Sequence, residues 1–428
     1  MSREWIPRLP KDWQHTQIRH LARVFAGGTP DRKKPDFWLN GSIPWLNSGA
    51  VNQGKITEPS EYVTELAAST GATRWVRKAS VVVALAGQGK TKGMAARTEI
   101  DTTLNQSLAA IEPGPRLNYR FLHYWLMANY QNLRGLAGGD LRDGLNLDHI
   151  GSVHVPLPST VKQQEVADYL DRETAEIDAF IQDQERFKKL LLEHREATRS
   201  SVIRRAAERQ GAPHVRLKFL ADVTVGIVVN PSSWYVEEEG VPALRGLNVR
   251  PEEISTSELV QISQEGHIAH SKSRLEAGDV VVVRTGQAGA AAVIPEHLHD
   301  CNAIDLLIVK PGDTLSSDFL SMYINSDVAR GVISAQSVGA IQAHFNVEAL
   351  RNLPIPYLDL PQQLRLVATW KEESSAVELA LRDVETSIQL AQERRSALIS
   401  AAVTGQIDVT AQNLSAADHL RDELEVHV

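Results

Sequence analysis

The feature that most constrains this sequence is that it is written twice. The segment His15–Val24 (HTQIRHLARV) returns as His214–Val223 (HVRLKFLADV), 199 residues later. Ile43-Pro44-Trp45-Leu46 returns as Val241-Pro242-Ala243-Leu244, and Pro113-Gly114 as Pro311-Gly312. Phe121-Leu122 matches Phe319-Leu320, Leu145-Asn146 matches Phe345-Asn346, and Val155-Pro156 matches Ile355-Pro356. Val81-Val82-Val83 aligns with Val281-Val282-Val283, and Gly87-Gln88 with Gly286-Gln287. Arg199-Ser200 and Val202-Ile203 align with Arg395-Ser396 and Leu398-Ile399. Offsets between 196 and 200 along the whole chain indicate a duplication, so each copy must carry its own core.

Each copy has two parts. The first mixes short β-rich runs (Ser80–Ala84, Asp279–Arg284, Leu306–Val309) with Gly, Pro and Asn turns, and leaves through a proline-marked exit at Val155–Pro158 or Leu353–Pro356. The second has no Pro or Gly from Val161 to Gln210, or from Gln362 to Thr404, which predicts one long helix in each copy. The later helix carries a seam at alternating spacings of three and four: Trp370, Ser374, Val377, Leu381, Val384, Ile388, Ala391, Arg395, Leu398, Ala402. This is coiled-coil spacing, interrupted by Ser374 and Arg395. The earlier helix is less regular, with Val166, Leu170, Ile177, Ile181, Leu191 and Val202 on its apolar side and Phe180 and Phe187 beside them. Helices this long and polar need partners. The expected fold is α+β: two tandem-repeat globular domains separated by two long helices that form an antiparallel coiled coil. The expected boundaries are 1–158 for the first domain, 159–210 for the central helix, 211–358 for the second domain, 359–409 for the last helix and 410–428 for a tail. A dimerisation coiled coil is the alternative use of the same helices. The offset falls from 200 at Val155/Ile355 to 196 at Arg199/Arg395, which predicts a second helix four residues, or one turn, shorter.

No run of about 18 apolar residues suggests a membrane span. The N-terminus lacks the apolar stretch of a signal peptide, and the single Cys301 cannot form an internal disulfide; a cytoplasmic protein is expected. The net charge of −8 is unevenly placed. From His15 to Ile150 there are 16 Lys/Arg against 11 Asp/Glu, a net of +5; from His214 to Leu350 there are 9 against 17, a net of −8. The first half suits a polyanionic partner by itself, while the second requires local basic loops or a basic partner.

The repeated succession of domain, proline-marked exit, helix start Gln163-Gln164-Glu-Val-Ala167 and helix ending Arg-Ser-x-x-Ile resembles the specificity subunit of type I restriction–modification systems. The second copy shows Leu353–Pro356, Gln362-Gln363, Val367-Ala368 and Arg394–Ile399. The opening Ile6–Trp13 and the Gly41, Ile43–Leu46 cluster are also of that kind, although the second copy has no counterpart of Ile6–Trp13 and has Ala243 in place of Trp45. The resemblance implies a subunit without catalysis of its own, in which each target-recognition domain reads one half of a split double-stranded DNA sequence and the helices set the unread spacer. It implies two methyltransferase subunits, which would use S-adenosylmethionine, and restriction/translocase subunits, which would use ATP and Mg. A helix ruler of this kind predicts that adding or removing a turn changes the spacer and leaves both half-sites unchanged.

Chemical motifs run out by comparison. Ala84–Thr91 (ALAGQGKT) follows a Val-rich strand and approximates a phosphate loop, but the continuation is a poor helix opening and the second copy loses the Lys-Thr. A repeated glycine turn between strands accounts for both. His267-x-x-His270 has no third metal ligand nearby, and Pro30-Asp31 and Pro35-Asp36 lack the Glu-x-Lys of a nuclease. Asn146 and Asn346 are expected to cap short helices. The glycine turns and their neighbours supply the candidate DNA contacts: Arg74, Arg77, Lys78, Gln88, Lys90, Lys92 and Arg97 in the first domain, and Arg245, Asn248, Lys272, Arg274, Arg284 and Gln287 in the second. Arg, Asn and Gln can read base edges with paired hydrogen bonds, whereas Lys suits phosphates.

Overall fold

In the computed structural model, residues 2–87, 89–136, 144–337 and 345–409 are described. The chain divides into two compact units. The first comprises the chain up to Asp183 together with the part from Ser387 onward, and the second is Gln184–Thr386. Each long helix thus contributes residues to both units.

In the first unit a five-stranded sheet runs in the order Ala22–Ala26, Leu108–Pro113, Val81–Ala84, Ala95–Thr98, Lys55–Ile56. A four-stranded sheet follows the order Glu61–Val63, Ile43–Leu46, Thr102–Leu104, Arg74–Val76. The first and last strands of the domain, Gln14–Gln17 and His154–Leu157, pair antiparallel and close it. The second unit repeats this plan. One sheet is Ala221–Val225, Leu306–Pro311, Val280–Val283, Ala291–Val293, and the other is Tyr235–Val236, Val260–Ile262, Val241–Leu244, Asn302–Ala303. His214–Arg216 and Pro354–Pro356 close the domain.

The pairing corrects one detail of the repeat. Ala109 faces Val83, and its counterpart Leu307 faces Val282. Val81 and Val83 enter the core beneath the helix Tyr119–Ala128, as Val280 and Val282 enter the core beneath Ser317–Ile324. The equivalent of Val81 is therefore Val280, not Val281. Three consecutive valines hide a slip of one residue in a sequence alignment, whereas in a strand that slip exchanges the two faces.

The long helices are Thr160–Gln210, of 51 residues, and Leu360–Val403, of 44. They open at matched caps: the Ser159 hydroxyl accepts from the Lys162 amide at 3.2 Å and the Asp359 carboxylate from the Gln362 amide at 2.8 Å. The difference is seven residues, three more than the landmark spacing predicts, because the second helix also stops earlier. Gly405, at φ +70°, turns the chain there, and a Cβ on it would lie 2.7 Å from Pro10 and 3.1 Å from Trp13. The N-terminal segment therefore packs where only glycine fits.

Within each unit the two helices run antiparallel. In the first, Lys162 meets Asp408 at 3.3 Å and Arg395 meets Asp178 at 2.8 Å. In the second, Lys188 meets Glu385 at 2.8 Å and Arg195 approaches Glu378 at 3.9 Å. Every residue of the seam from Trp370 to Ala402 is buried or half-buried. On the earlier helix Val166, Leu170 and Ile177 are buried, Ile181, Leu191 and Val202 half-buried, and Phe180 and Phe187 exposed. Its seam continues through Thr174, Gln184, Lys188 and Arg195, all buried or half-buried. The seam is as regular as the later one, but polar residues occupy it. No helix among the described residues is long and apolar enough to cross a membrane.

Candidate nucleic-acid interface

The sequence Val81–Ala84, turn, Ala95–Thr98 is an antiparallel hairpin, with Val83 opposite Ala95. A strand, not a helix, follows the glycine loop, so no helix N-terminus faces a phosphate there. The loop is held from outside: the Tyr130 hydroxyl donates to the Lys90 carbonyl and Arg134 Nη1 to the Gly89 carbonyl at 2.8 Å. The second copy is also a hairpin, Val280–Val283 to Ala291–Val293, with Gly286 and Gly289 at φ +84° and +89°. Asn146 and Asn346 cap short helices, accepting from the His149 and Ala349 amides at 2.8 Å each.

The candidate contacts fall into separate groups. Arg74, Arg77 and Lys78 surround the exposed Trp75 at one end of the strand Val81–Ala84. The backbone of their turn is fixed by carboxylates, since Glu112 accepts from the Arg77 amide at 3.2 Å and Asp101 from the Lys78 amide at 2.8 Å. The cationic side chains are left to solvent, although Arg77 also lies 3.6 Å from Glu112. Lys90 is exposed in the turn beyond the other end of that strand, whose four residues span about 10 Å at about 3.3 Å per residue. Gln88 lies outside the described residues.

Two candidates of the first domain are not surface cations. Lys92 is buried, at 7% exposure. Arg97 projects from its strand toward the long helix, where Nη1 donates to Asp171 at 2.6 Å and Nε lies 3.4 Å from Glu99. An arginine so paired would have to break a partly buried ion pair before reaching a base.

In the second domain the turn at Gly246 packs near Val283 and Thr285, which brings Arg245 beside the loop of Arg284 and Gln287. Gln287 is exposed, Arg284 pairs with Asp305 at 3.1 Å, and Arg245 donates to the Glu258 carbonyl at 3.0 Å. Asn248 is fully buried: its side chain accepts from the Arg245 amide at 3.0 Å and donates to the Ser257 carbonyl at 2.9 Å, so it builds the turn and cannot read a base. Lys272 and Arg274 lie elsewhere, Lys272 exposed and Arg274 3.8 Å from Asp300. His267 is a buried histidine joined to Asn302 at 2.6 Å.

Sequence reading missed a second cationic group. Arg32 stacks on Trp38, 3.6 Å from the ring centroid, lies 5.3 Å from the Trp45 centroid, and pairs with both oxygens of Glu61 at 2.6 and 2.8 Å. That hydrogen bond holds the Glu61 carboxyl below its usual range. Lys33 and Lys34 extend from the same exposed loop. Trp45 and Trp75 both align with Thr103 on the strand between them, so both groups border one sheet face, with about 10 Å between the tryptophans. The signal was the run Asp31-Arg-Lys-Lys34 followed by Phe37-Trp38, basic residues interleaved with aromatics.

A duplicated α+β scaffold that presents cationic and amide side chains from strand-end turns is suited to recognition of a polyanion. Residues 10–185 match the family described as Type I restriction modification DNA specificity domain. The EcoR124I/EcoR124II specificity subunit of Escherichia coli is 24% identical over 159 residues, 36% of this chain and 39% of that protein. The MjaIX specificity subunit of Methanocaldococcus jannaschii is 26% identical over 172 residues, 39% of this chain and 38% of that protein. The chain thus matches about two-fifths of the length of each of these relatives. For the fold, a solved chain from a study of complex assembly and conformational transition of the type I R-M system superposes with a TM-score of 0.65 at 17% identity, over 94% of this chain and 100% of that one.

Proposed function

We propose that this chain is the DNA-reading subunit of a type I restriction–modification complex, and that it performs no chemistry itself. Each domain would read one half of a split target, and the paired helices would set the spacer. The observation that carries this reading is the duplication of a specificity-type domain together with its helix, down to the same hairpin, caps and closing strands in both copies. In the first domain the exposed group Arg74, Arg77 and Lys78, with Arg32 to Lys34 across the same sheet, offers phosphate contacts; in the second, Arg245, Arg284 and Gln287 offer base-edge donors. Two methyltransferase subunits would dock on the helices and bring S-adenosylmethionine, and restriction/translocase subunits would bring ATP and Mg.

Co-expression with a methyltransferase subunit encoded beside it, followed by mapping of methylated adenines on genomic DNA, tests the reading. One split motif with a fixed spacer is the expected result. A stable complex without methylation would support a helical assembly role alone, which the acidic second domain favours, and would overturn the DNA-reading function.

A further inference from the structure

Among the polar contacts that dock the two domains on their helices, one device is shared and one is inverted. The shared device is a buried glutamine. The inverted one is ionic, and it is defined by register. Asn118 and Ser316 cap equivalent helices, and their amides donate to Gln163 and Gln363 respectively, both at 2.8 Å. This fixes Arg120 opposite its counterpart Asp318, Tyr124 opposite Met322, Asp168 opposite Ala368 and Asp171 opposite Lys371. Strand pairing likewise makes Arg97, facing Val81, the counterpart of Val293, facing Val280.

In the first unit the helix supplies the anion. Asp171 receives Arg97 at 2.6 Å, the Tyr124 hydroxyl at 2.7 Å and Arg120 at 2.6 Å, and Arg120 also donates to Asp168 at 2.7 Å. In the second unit the helix supplies the cation: Lys371 donates to Asp318 at 2.8 Å, with Val293 and Met322 at the positions of the other donors. The polarity is reversed at equivalent positions. A domain of the first kind seated on the second helix start would set Arg97 and Arg120 against Lys371. A domain of the second kind on the first helix start would set Asp318 against Asp168 and Asp171. Both wrong pairings juxtapose like charges, and the first also strands Arg97 and Arg120, which are partly enclosed in their own seat, whereas Asp318 and Lys371 are exposed in theirs.

We infer that these seams are keys of opposite sign, which make each domain accept its own helix start and reject the other's, above all that of a second copy of this chain. A duplicated protein is open to exchange between copies because its fold and the plan of its apolar core recur. The glutamine cannot discriminate, since it is identical in both seats. The ion pairs can. The inference is independent of what the domains bind.

Refolding of the full chain from denaturant, read by size-exclusion chromatography with light scattering, tests it. The first variant gives unit one the key of unit two: Arg97→Val, Arg120→Asp, Tyr124→Met, Asp168→Ala and Asp171→Lys. With both keys alike, the ratio of exchanged dimers and larger species to monomer is expected to rise roughly tenfold. The second variant adds Val293→Arg, Asp318→Arg, Met322→Tyr, Ala368→Asp and Lys371→Asp, so the keys differ again but have traded places. It is expected to return to the parental ratio. A first variant that refolds like the parent overturns the inference. A second variant that stays as exchanged as the first overturns it too, because the damage would then lie in the seats and not in their pairing.

Discussion

Gln163 and Gln363 stand 200 residues apart and make the same three hydrogen bonds. Each side-chain carbonyl accepts the capping amide of the facing domain helix. Each amide group donates to two carbonyls, Arg116 at 3.0 Å and Pro158 at 2.9 Å for Gln163, and Thr314 at 2.9 Å and Leu358 at 2.8 Å for Gln363. Both are buried, at 0% and 3% exposure. Removing either would leave one buried amide and two carbonyls without partners, each costing about 1–3 kcal/mol where water cannot replace the bond. Gln163→Met is expected to lower stability by roughly 3 kcal/mol after partial rehydration, and Gln363→Met by a similar amount. Denaturant titration followed by hydrogen exchange would place each loss in its own unit; losses below about 1 kcal/mol would show that the glutamines do not hold the domains to their helices.

Arg199 and Arg395 occupy the same repeat position and carry different loads. Arg199 is fully buried, donates to the Asn325 carbonyl at 2.9 Å, lies within 3.1 Å of Glu196 and 3.3 Å of Glu252, and sits 4.9 Å from the centroid of Trp370. Burial pushes its guanidinium below the ordinary value, against the pull of the two carboxylates. Arg395 makes a two-pronged pair with Asp178 that remains open to water. Arg199→Ala is therefore expected to cost about 3–5 kcal/mol, and Arg395→Ala no more than about 1 kcal/mol. Thermal denaturation of the two variants side by side checks this, and equal losses would refute the assignment.

His123 and Asp171 predict how the first unit responds to acid. Burial, with Arg97 nearby, lowers His123 from 6.5 to about 4, so the fold holds it neutral. Between pH 6.5 and about 4 the unfolded chain binds a proton that the folded chain refuses, and stability falls as pH falls, by roughly 3 kcal/mol at the bottom of that window. For Asp171 burial opposes ionisation, but hydrogen bonds from Tyr124, Arg97 and Arg120 overcome it and hold the carboxyl below its ordinary 3.8. Its contribution is present above that value and is lost on further acidification. His123→Gln should flatten the dependence of the unfolding midpoint between pH 6.5 and 4 and leave the steeper loss below it. An unchanged profile would mean that His123 is already protonated in the fold.

Much of this architecture was legible in the sequence because duplication reports a fold twice. The domain-and-helix plan, the seam Trp370 to Ala402, the caps at Asn146 and Asn346 and the hairpin behind the false phosphate loop all follow from spacing and turn chemistry. The seam of the first helix was harder to see, since Lys188 and Arg195 fill core-facing positions through ion pairs that hydrophobic periodicity does not register. The candidate contacts were the least legible. Arg97, Lys92 and Asn248 have the right chemistry for DNA, but a residue type does not reveal whether its polar end faces solvent or an internal partner. Arg32 to Lys34 went unnoticed because their stacking on Trp38 and Trp45 depends on a sheet that brings distant segments together.

The inverted charges also separate what the two domains can contribute to the proposed DNA binding. In the first, Arg23 and Arg77 flank Glu112 at 3.8 and 3.6 Å. In the second, Glu276 and Asp279 flank Lys310 at 3.1 and 3.3 Å, and Asp222 faces Lys310 across the strands. The same turn is cationic in one copy and anionic in the other, so it can serve as a phosphate contact only in the first. On the proposed function, and in a complex with a methyltransferase subunit, Arg77→Ala and Lys78→Ala are each expected to weaken DNA binding equally for all sequences and to reduce the slope of affinity against salt by about one unit. Gln287→Ala, from an exposed uncharged side chain, should leave that slope unchanged and relax one position of the second half-site, at a cost of about 1–3 kcal/mol against the preferred base. Titrations of matched and mismatched duplexes at several salt concentrations distinguish the two behaviours. A salt slope unmoved by both lysine and arginine replacements would exclude this turn from the phosphate contacts and leave the loop of Arg32 to Lys34 as the cationic edge of the first domain.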